Sequence, residues 1–238
     1  MWLYSVSYLK RKECGCVDKE YYLAELLPFW KEINQSARNA LTAASMPVYY
    51  KAGTLLHAGR EDCNGLFLLV SGRVRVYSIT AEGKEVTLFR LLDRDVCLFS
   101  ASCIMRNINF DVYISAEMDT EAVRIPAGIY DRLSKEQVSI AGFTNELLSS
   151  RMSDVMDIME QVLFLSFDKR LARFLLDESA LEQSDTLTLT HEQIANHLGS
   201  AREVVSRMLK YFSGEGLVAV SRGKIRLLNV DGLMALSQ

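Results

Sequence analysis

The apolar residues of this 238-residue chain change their period near Pro126, and that change limits the fold more than any other feature. Between about Ser45 and Pro126, short apolar runs are broken by Gly, Asp and Asn at roughly 8- to 12-residue intervals, the spacing of an all-β barrel or sandwich. Strands are expected over Thr54 to His57, Leu66 to Tyr77, Val86 to Leu92, Asp111 to Glu117 and Glu121 to Ile125. Gly72 is expected to turn one hairpin and Glu82-Gly83 the next, because glycine accepts a positive φ without a side-chain clash.

Past Pro126 the period becomes helical. Leu148, Met152, Val155, Met159 and Val162 are separated by 4, 3, 4 and 3, the a/d seam of a heptad, while Arg151, Asp154, Asp157 and Glu160 keep the other faces wet. Extended backwards, the register puts Asn145 and Ala141 on the seam, and one buried asparagine is a device for fixing a two-stranded register. The seam is expected to pair with a second copy, leaving Leu147, Met156 and Leu163 to pack on the β module. The competing reading packs the whole stripe on its own β module.

A unit of about 70 residues follows Ser166. A helix over Phe167 to Ser179 carries Leu171, Phe174 and Leu175 on one side. Thr190-His191-Glu192-Gln193 is a capping box, opening a short helix that Gly199 can end in the left-handed conformation. Ser200-Ala201-Arg202-Glu203 reads as a second box opening a helix to Phe212, so two short helices meet at a glycine turn as a helix-turn-helix. Leu217 to Leu228 then reads as a β-hairpin turning at Gly223, a wing. The fold class is α+β.

Composition removes several functions. With 49% hydrophobic and 24% charged residues and only 3 prolines and 13 glycines, most of the chain is too apolar for disorder. No apolar stretch approaches the ~18 residues that cross a bilayer, so no membrane partner is expected. The N-terminal segment places Lys10, Arg11 and Lys12 after a short apolar run, the reverse of a secretory signal. Five cysteines at 14, 16, 63, 97 and 103 do not form the framework of a stapled fold, so reduced thiols in a cytoplasm are expected. No Cys and His pair carries a local signature of nucleophilic catalysis, and the chain is not expected to be an enzyme.

A net charge of −3 gives no bulk attraction for polyanions, so nucleic-acid binding must come from a local patch. Residues 167 to 238 hold nine Lys and Arg against nine Asp and Glu. Arg202 to Arg226, however, sets Arg202, Arg207, Lys210, Arg222, Lys224 and Arg226 against Glu203 and Glu215, a balance of +4. On the second helix Arg202, Glu203, Ser206, Arg207 and Lys210 gather on one side, shaped for a major groove. Arginine there can offer paired donors to guanine O6 and N7, Glu203 can accept from the cytosine amine, and Ser206 can sit against a thymine methyl. Glu203 has an alternative duty, bonding the backbone of Ser200 within a capping box. Lys210 and the wing residues Arg222 and Lys224 suit phosphates, which set affinity and salt dependence but carry no sequence information.

The stretch Thr190 to Lys210, Thr-His-Glu-Gln-Ile-Ala-Asn-His-Leu-Gly-Ser-Ala-Arg-Glu-Val-Val-Ser-Arg-Met-Leu-Lys, closely resembles the helix-turn-helix of the CRP/FNR transcriptional regulators. Lys51-Ala52-Gly53 through Tyr77 resembles the first strands of a cyclic-nucleotide-binding β-roll, and residues 140 to 163 correspond to that family's dimerisation helix. The resemblance covers roughly residues 25 to 230 and implies three parts. These are an N-terminal arm and β-roll sensor over 1–135, a dimerisation helix over 136–164 and a winged helix-turn-helix over 165–238. It implies a homodimer that binds double-stranded DNA through Thr190, Gln193, Ser200, Arg202, Glu203, Ser206, Arg207, Lys210, Arg222 and Lys224, with RNA polymerase as a candidate partner. The dimer would pair through Asn145, Leu148, Met152, Val155, Met159 and Val162. Glu203-Val204-Val205-Ser206-Arg207 matches the E-x-x-S-R pattern of the FNR-like branch, which implies a target close to TTGAT-N4-ATCAA.

The effector stays open. Cyclic-nucleotide binders of the family carry a Gly-Glu pair and, about ten residues on, an arginine that pairs with the cyclic phosphate. Here the segment from Arg94 to Met105 lacks the first, and Phe110 stands where that arginine should be, although Arg106 is nearby. The expected effector position is a roll cavity lined by Cys97, Ser100, Ser102, Cys103 and Phe110. Cys14, Cys16 and Cys97 or Cys103 partly resemble the cysteine set of an FNR-type iron–sulfur sensor, and haem, a metal, a redox disulfide or a small organic ligand are alternatives. The cofactor is unknown at this point. A module that senses a signal but docks a protein in place of DNA is the rival of another class.

Overall fold

A computed structural model of the chain describes residues 18–59, 64–98 and 111–238. Their contacts separate into two compact units, one drawn from the chain up to Val76 and from Arg90–Ser150, the other from Tyr77–Phe89 and Arg151–Gln238.

The first unit begins with helices that the sequence pattern did not announce. Helix α1 (Lys19–Leu26) is opened by the Asp18 carboxylate and buries Tyr22, Leu23 and Leu26. A 3-10 turn (Pro28–Lys31) buries Phe29 and Trp30, and α2 (Gln35–Ala44) starts where the Asn34 side chain accepts from the Ala37 N–H at 2.9 Å. Strand β1 (Met46–Tyr50) also escaped the pattern, because Pro47 interrupts its donors; it is an edge strand, where proline is tolerated.

The expected strands follow as β2 (Leu55–Ala58), β3 (Leu66–Ser71), β4 (Val74–Ile79), β5 (Glu85–Leu91), β7 (Tyr113–Ala116) and β8 (Thr120–Ile125), with a two-residue β6 (Val96–Cys97) added. They form two four-stranded sheets, ordered β1-β8-β3-β6 and β2-β7-β4-β5. Gly72 turns β3 into β4 at φ 114°, and a Cβ there would lie 2.5 Å from the Thr120 hydroxyl, so only glycine fits. β3 is buried at five of its six positions, which explains its continuous apolar run Leu66-Phe67-Leu68-Leu69-Val70. Leu66, Leu68 and Val70 meet Leu23, Leu41, Val123, Ile125, Tyr130 and Ile140 in one core, while Phe67 and Leu69 are buried on the other face of the strand.

Helix α3 (Ala127–Glu136) starts directly after Pro126, and an extended residue, Gln137, separates it from the 27-residue α4 (Val138–Phe164). The Tyr130 ring is fully buried and its hydroxyl meets Thr144 Oγ1 at 2.8 Å, fastening α3 to α4. Burial pushes the Tyr130 phenol up to about 12.

In the second unit, α5 (Phe167–Glu182) runs one turn beyond its expected end, closing on Gln183 in the left-handed region. A short strand β9 (Thr186–Leu187), α6 (His191–Leu198), α7 (Arg202–Gly214), the hairpin β10 (Val218–Ser221) and β11 (Lys224–Leu227), and a terminal α8 (Val230–Ser237) complete it. The hairpin turns through Arg222-Gly223, with Ser221 opposite Lys224, as expected for the wing, and β9 adds a third strand. Leu171, Leu175, Leu187, Ile194, Val205, Leu209, Phe212, Val218, Ile225 and Leu233 share one core, to which each element from α5 to α8 contributes. No helix among the described residues is long and apolar enough to cross a membrane.

Candidate nucleic-acid interface

Helices α6 and α7 are set by local chemistry at each end. Thr190 Oγ1 accepts the Gln193 N–H at 3.1 Å and Gln193 Oε1 accepts the Thr190 N–H at 2.8 Å, the reciprocal pair expected of the first box. Gly199 ends α6 in the left-handed region at φ 63°, and the Ser200 N–H reaches back to the Ala195 carbonyl at 3.0 Å. The second box does not form. The residue at the start of α7 is Ala201, not Ser200, and no side chain caps it. Glu203 therefore sits one place too early to reach back three residues, and its carboxylate is left on the surface.

Val205, Leu209 and Phe212 point α7 inward, and Arg202, Glu203, Ser206, Arg207 and Lys210 are all exposed along the opposite edge. Arg222, Lys224 and Arg226 are exposed on the wing, while Ser200 is half-buried in the turn. A cleft of about 460 Å³ brings Thr190, His191, Arg202 and Arg222 together between the start of α6 and the wing turn. Gln193, Lys210 and Lys224 are exposed outside its lining. The arrangement presents a polar rod beside a basic hairpin, and it can donate to base edges from α7 and to phosphates from the cleft.

Sequence reading missed Arg170. Its Nη1 donates to the Leu198 carbonyl at 3.1 Å, its guanidinium lies 5.5 Å from the Phe167 ring centre, and burial lowers its pKa. It ties α5 to the end of α6, and Lys169-Arg170 in the sequence carried no sign of which of the two would turn inward.

The proposed pairing face is only partly as expected. Asn145, Met152, Met159 and Val162 are exposed, but Leu148 and Val155 are half-buried, and Leu148 packs on the core of the first unit beside Leu147. Met156 and Leu163, expected to pack inward, are 40% and 63% exposed. The apolar stripe left open on α4 is therefore Met152, Met156, Met159, Val162 and Leu163, turned from the expected seam because the upstream half of the helix uses two adjacent residues, Leu147 and Leu148, to reach its core.

Of the expected effector residues, Cys97 lies in β6 opposite Phe67 and is 2% exposed, its thiol held in the interior. Ser100, Ser102, Cys103, Phe110, Cys14 and Cys16 lie outside the described residues, as does Arg106.

Comparison with known proteins bears on both units. The cyclic nucleotide-binding domain model matches residues 47–137, and the Crp-like helix-turn-helix domain model matches residues 169–236. A solved Crp/Fnr-family protein from Eubacterium rectale is 48% identical, covers 90% of this chain and 99% of its own, and superposes with a TM-score of 0.88. The chain belongs to the CRP/FNR family of transcriptional regulators. Among its relatives in the family are the transcriptional activator protein FnrA of Stutzerimonas stutzeri, 28% identical over 79% of this chain and 78% of its own length, and the fumarate and nitrate reduction regulatory protein of Salmonella typhimurium, 29% identical over 79% and 76%. A CRP/FNR-family regulator from Thermus thermophilus shares the fold, with a TM-score of 0.64 at 23% identity over 81% of this chain and 98% of its own. The chain is thus a CRP/FNR-type regulator with a DNA-binding helix-turn-helix, and its relatives are regulators, not enzymes.

Proposed function

We propose that two copies of this CRP/FNR regulator pair along α4 and bind a palindrome close to TTGAT-N4-ATCAA, each copy placing α7 in one major groove, in response to a cytoplasmic signal sensed by the β-roll. The supporting observation is the free polar edge of α7, on which Arg202, Glu203, Ser206 and Arg207 are all exposed and Glu203 is released from capping. A carboxylate left unpaired at the start of a groove-reading helix is suited to the cytosine amine, and the neighbouring arginines to guanine. Two such edges related by a two-fold axis suit half-sites about one helical turn apart. Arg222 and Thr190, at the rim of the wing cleft, serve the flanking phosphates.

Selection of bound duplexes from a random library tests this. Enrichment of a two-fold symmetric site containing TTGAT is the expected result. A non-palindromic or unrelated consensus overturns the target. Binding that ignores both salt and Arg207→Ala overturns the DNA reading in favour of a protein-docking module.

A further inference from the structure

The chain holds three histidines, and their surroundings differ. His57 is 1% exposed on β2, and the His197 ring leans on Phe174 with centroids 5.3 Å apart. His191, the first residue of α6, is instead half-buried in the wall of the cleft of about 460 Å³ between that helix and the wing turn. Among the described residues no hydrogen bond or ion pair holds its ring. Three charged side chains face the same space: Arg202 from the start of α7, Arg222 from the wing turn and Glu192 from α6 itself. With the imidazole neutral, two guanidinium groups against one carboxylate leave the cleft at +1, and a proton on the ring raises it to +2.

The backbone adds donors to the same wall. The capping box occupies the N–H groups of Thr190 and Gln193, so those of His191 and Glu192 are the first-turn donors of α6 left without a partner inside the helix. Arg202 opens the helix that enters the major groove, and Arg222 stands across the cleft from it. A groove is bounded by a phosphate strand, and the strand beside the start of α7 is the one this cleft can take up.

We infer that His191 is a further DNA contact whose ring is protonated against a backbone phosphate in the complex, so that each copy takes up a proton as it binds its half-site. This rests on the reading of α7 as the DNA-binding edge. Histidine is the one side chain that ordinarily changes charge between pH 5 and 8, and a charged donor bonds a phosphate about twice as strongly as a neutral one. Because the phosphate favours the charged ring, the gain in affinity is complete where the free ring is already protonated. It fades as pH rises through the range in which the bound ring gives up its proton.

Fluorescence anisotropy with the palindromic duplex, at about pH 6 and about pH 8 and over a range of salt concentrations, tests the contact. The unaltered chain is expected to bind about tenfold or more tightly at the lower pH. Its slope of log K against log salt should be steeper there by about 1.8, one phosphate contact per copy at about 0.9 each. His191→Gln should bring the two affinities within about twofold of each other. His191→Arg, charged at both pH values, should bind at the higher pH about as tightly as the unaltered chain does at the lower, and it decides the matter if His191→Gln melts early. Affinities of the unaltered chain that agree within about twofold, a salt slope that ignores pH, a pH dependence that survives in His191→Gln, or no gain from His191→Arg at the higher pH overturns the contact. Absence of palindrome binding by the unaltered chain at either pH overturns the α7 reading and this contact with it, so the two failures are told apart.

Discussion

Arg207 and Lys210 lie three residues apart on one exposed edge, yet side-chain geometry gives them different work, and the difference is measurable. Neither carries the packing of α7, which rests on Val205, Leu209 and Phe212, so Arg207→Ala and Lys210→Ala should each leave the folded unit within about 0.5 kcal/mol of its original stability. A bidentate arginine–guanine contact discriminates by about 1–3 kcal/mol, and a dimer makes it twice, so Arg207→Ala should weaken binding to the full palindrome by about 2–6 kcal/mol, roughly thirtyfold to twenty-thousandfold. Its larger signature is a loss of preference at one base of each half-site. Lys210→Ala should leave the ranking of mutated sites unchanged. It removes one phosphate contact per copy, and each contact contributes about 0.9 to the slope of log K against log salt, so the slope should become shallower by about 1.8 for the dimer. Fluorescence anisotropy on the palindrome and its single-base variants, at four salt concentrations, measures both quantities. If the two substitutions alter the slope alike and leave base preference alike, the division of the edge into reading and anchoring positions is wrong.

Other expectations follow from particular contacts. Thr190→Ala removes both contacts of the Thr190 hydroxyl at the start of α6, leaving its N–H on Gln193, and should cost about 1 kcal/mol, read as a drop of several degrees in the melting of the helix-turn-helix unit. Met152→Lys combined with Met159→Lys places charges on the stripe of α4 that is open in one chain and should halve the mass seen in sedimentation equilibrium; a persisting dimer would show that pairing lies elsewhere. The buried Tyr130 holds its proton up to about 12, above the unfolded value near 10, so its share of stability is complete below pH 10 and is lost as pH rises from there to about 12, by about 2–3 kcal/mol. Urea unfolding across that range should show the decline, and Tyr130→Phe should flatten it.

The parts of the fold that were legible in the sequence are those where one local cause dominates. Thr190, Gln193 and Gly199 fix α6 by hydrogen bonds and a backbone conformation that few residues share, and they were found at their places. Strands β2 to β5, β7 and β8 were visible through apolar runs and turn glycines, whereas β1 was hidden by Pro47 and the two-residue β6 and β9 were too short to carry a period. Helix α1 buries Tyr22, Leu23 and Leu26, a spacing too brief over eight residues to be told from a loop with apolar anchors. At the site, the exposed edge of α7 followed from helical geometry alone. The cap at Ala201 did not, because Ser200 and Ala201 differ by one residue and the choice is made by Val205 docking in the core, a tertiary effect. The same reason hid the rotation of α4: Leu147 and Leu148 are equally apolar, and only the position of the roll decides that both are used.

The distribution of charge explains how an acidic chain can serve a polyanion. A net charge of −3 with +4 between Arg202 and Arg226 leaves −7 on the remaining residues. Near 0.15 M salt the Debye length is about 8 Å, so a phosphate against α7 feels the six cations of its own face and little of the rest. The remaining residues, at −7 in sum, supply no bulk attraction, so non-specific binding rests on the same local face. Affinity must then come from contacts made only when α7 lies in the groove. A regulator built in this way gains discrimination between target and bulk DNA from the confinement of its positive charge to one face, which makes the six cations of α7 and the wing disproportionately effective in deciding whether it binds.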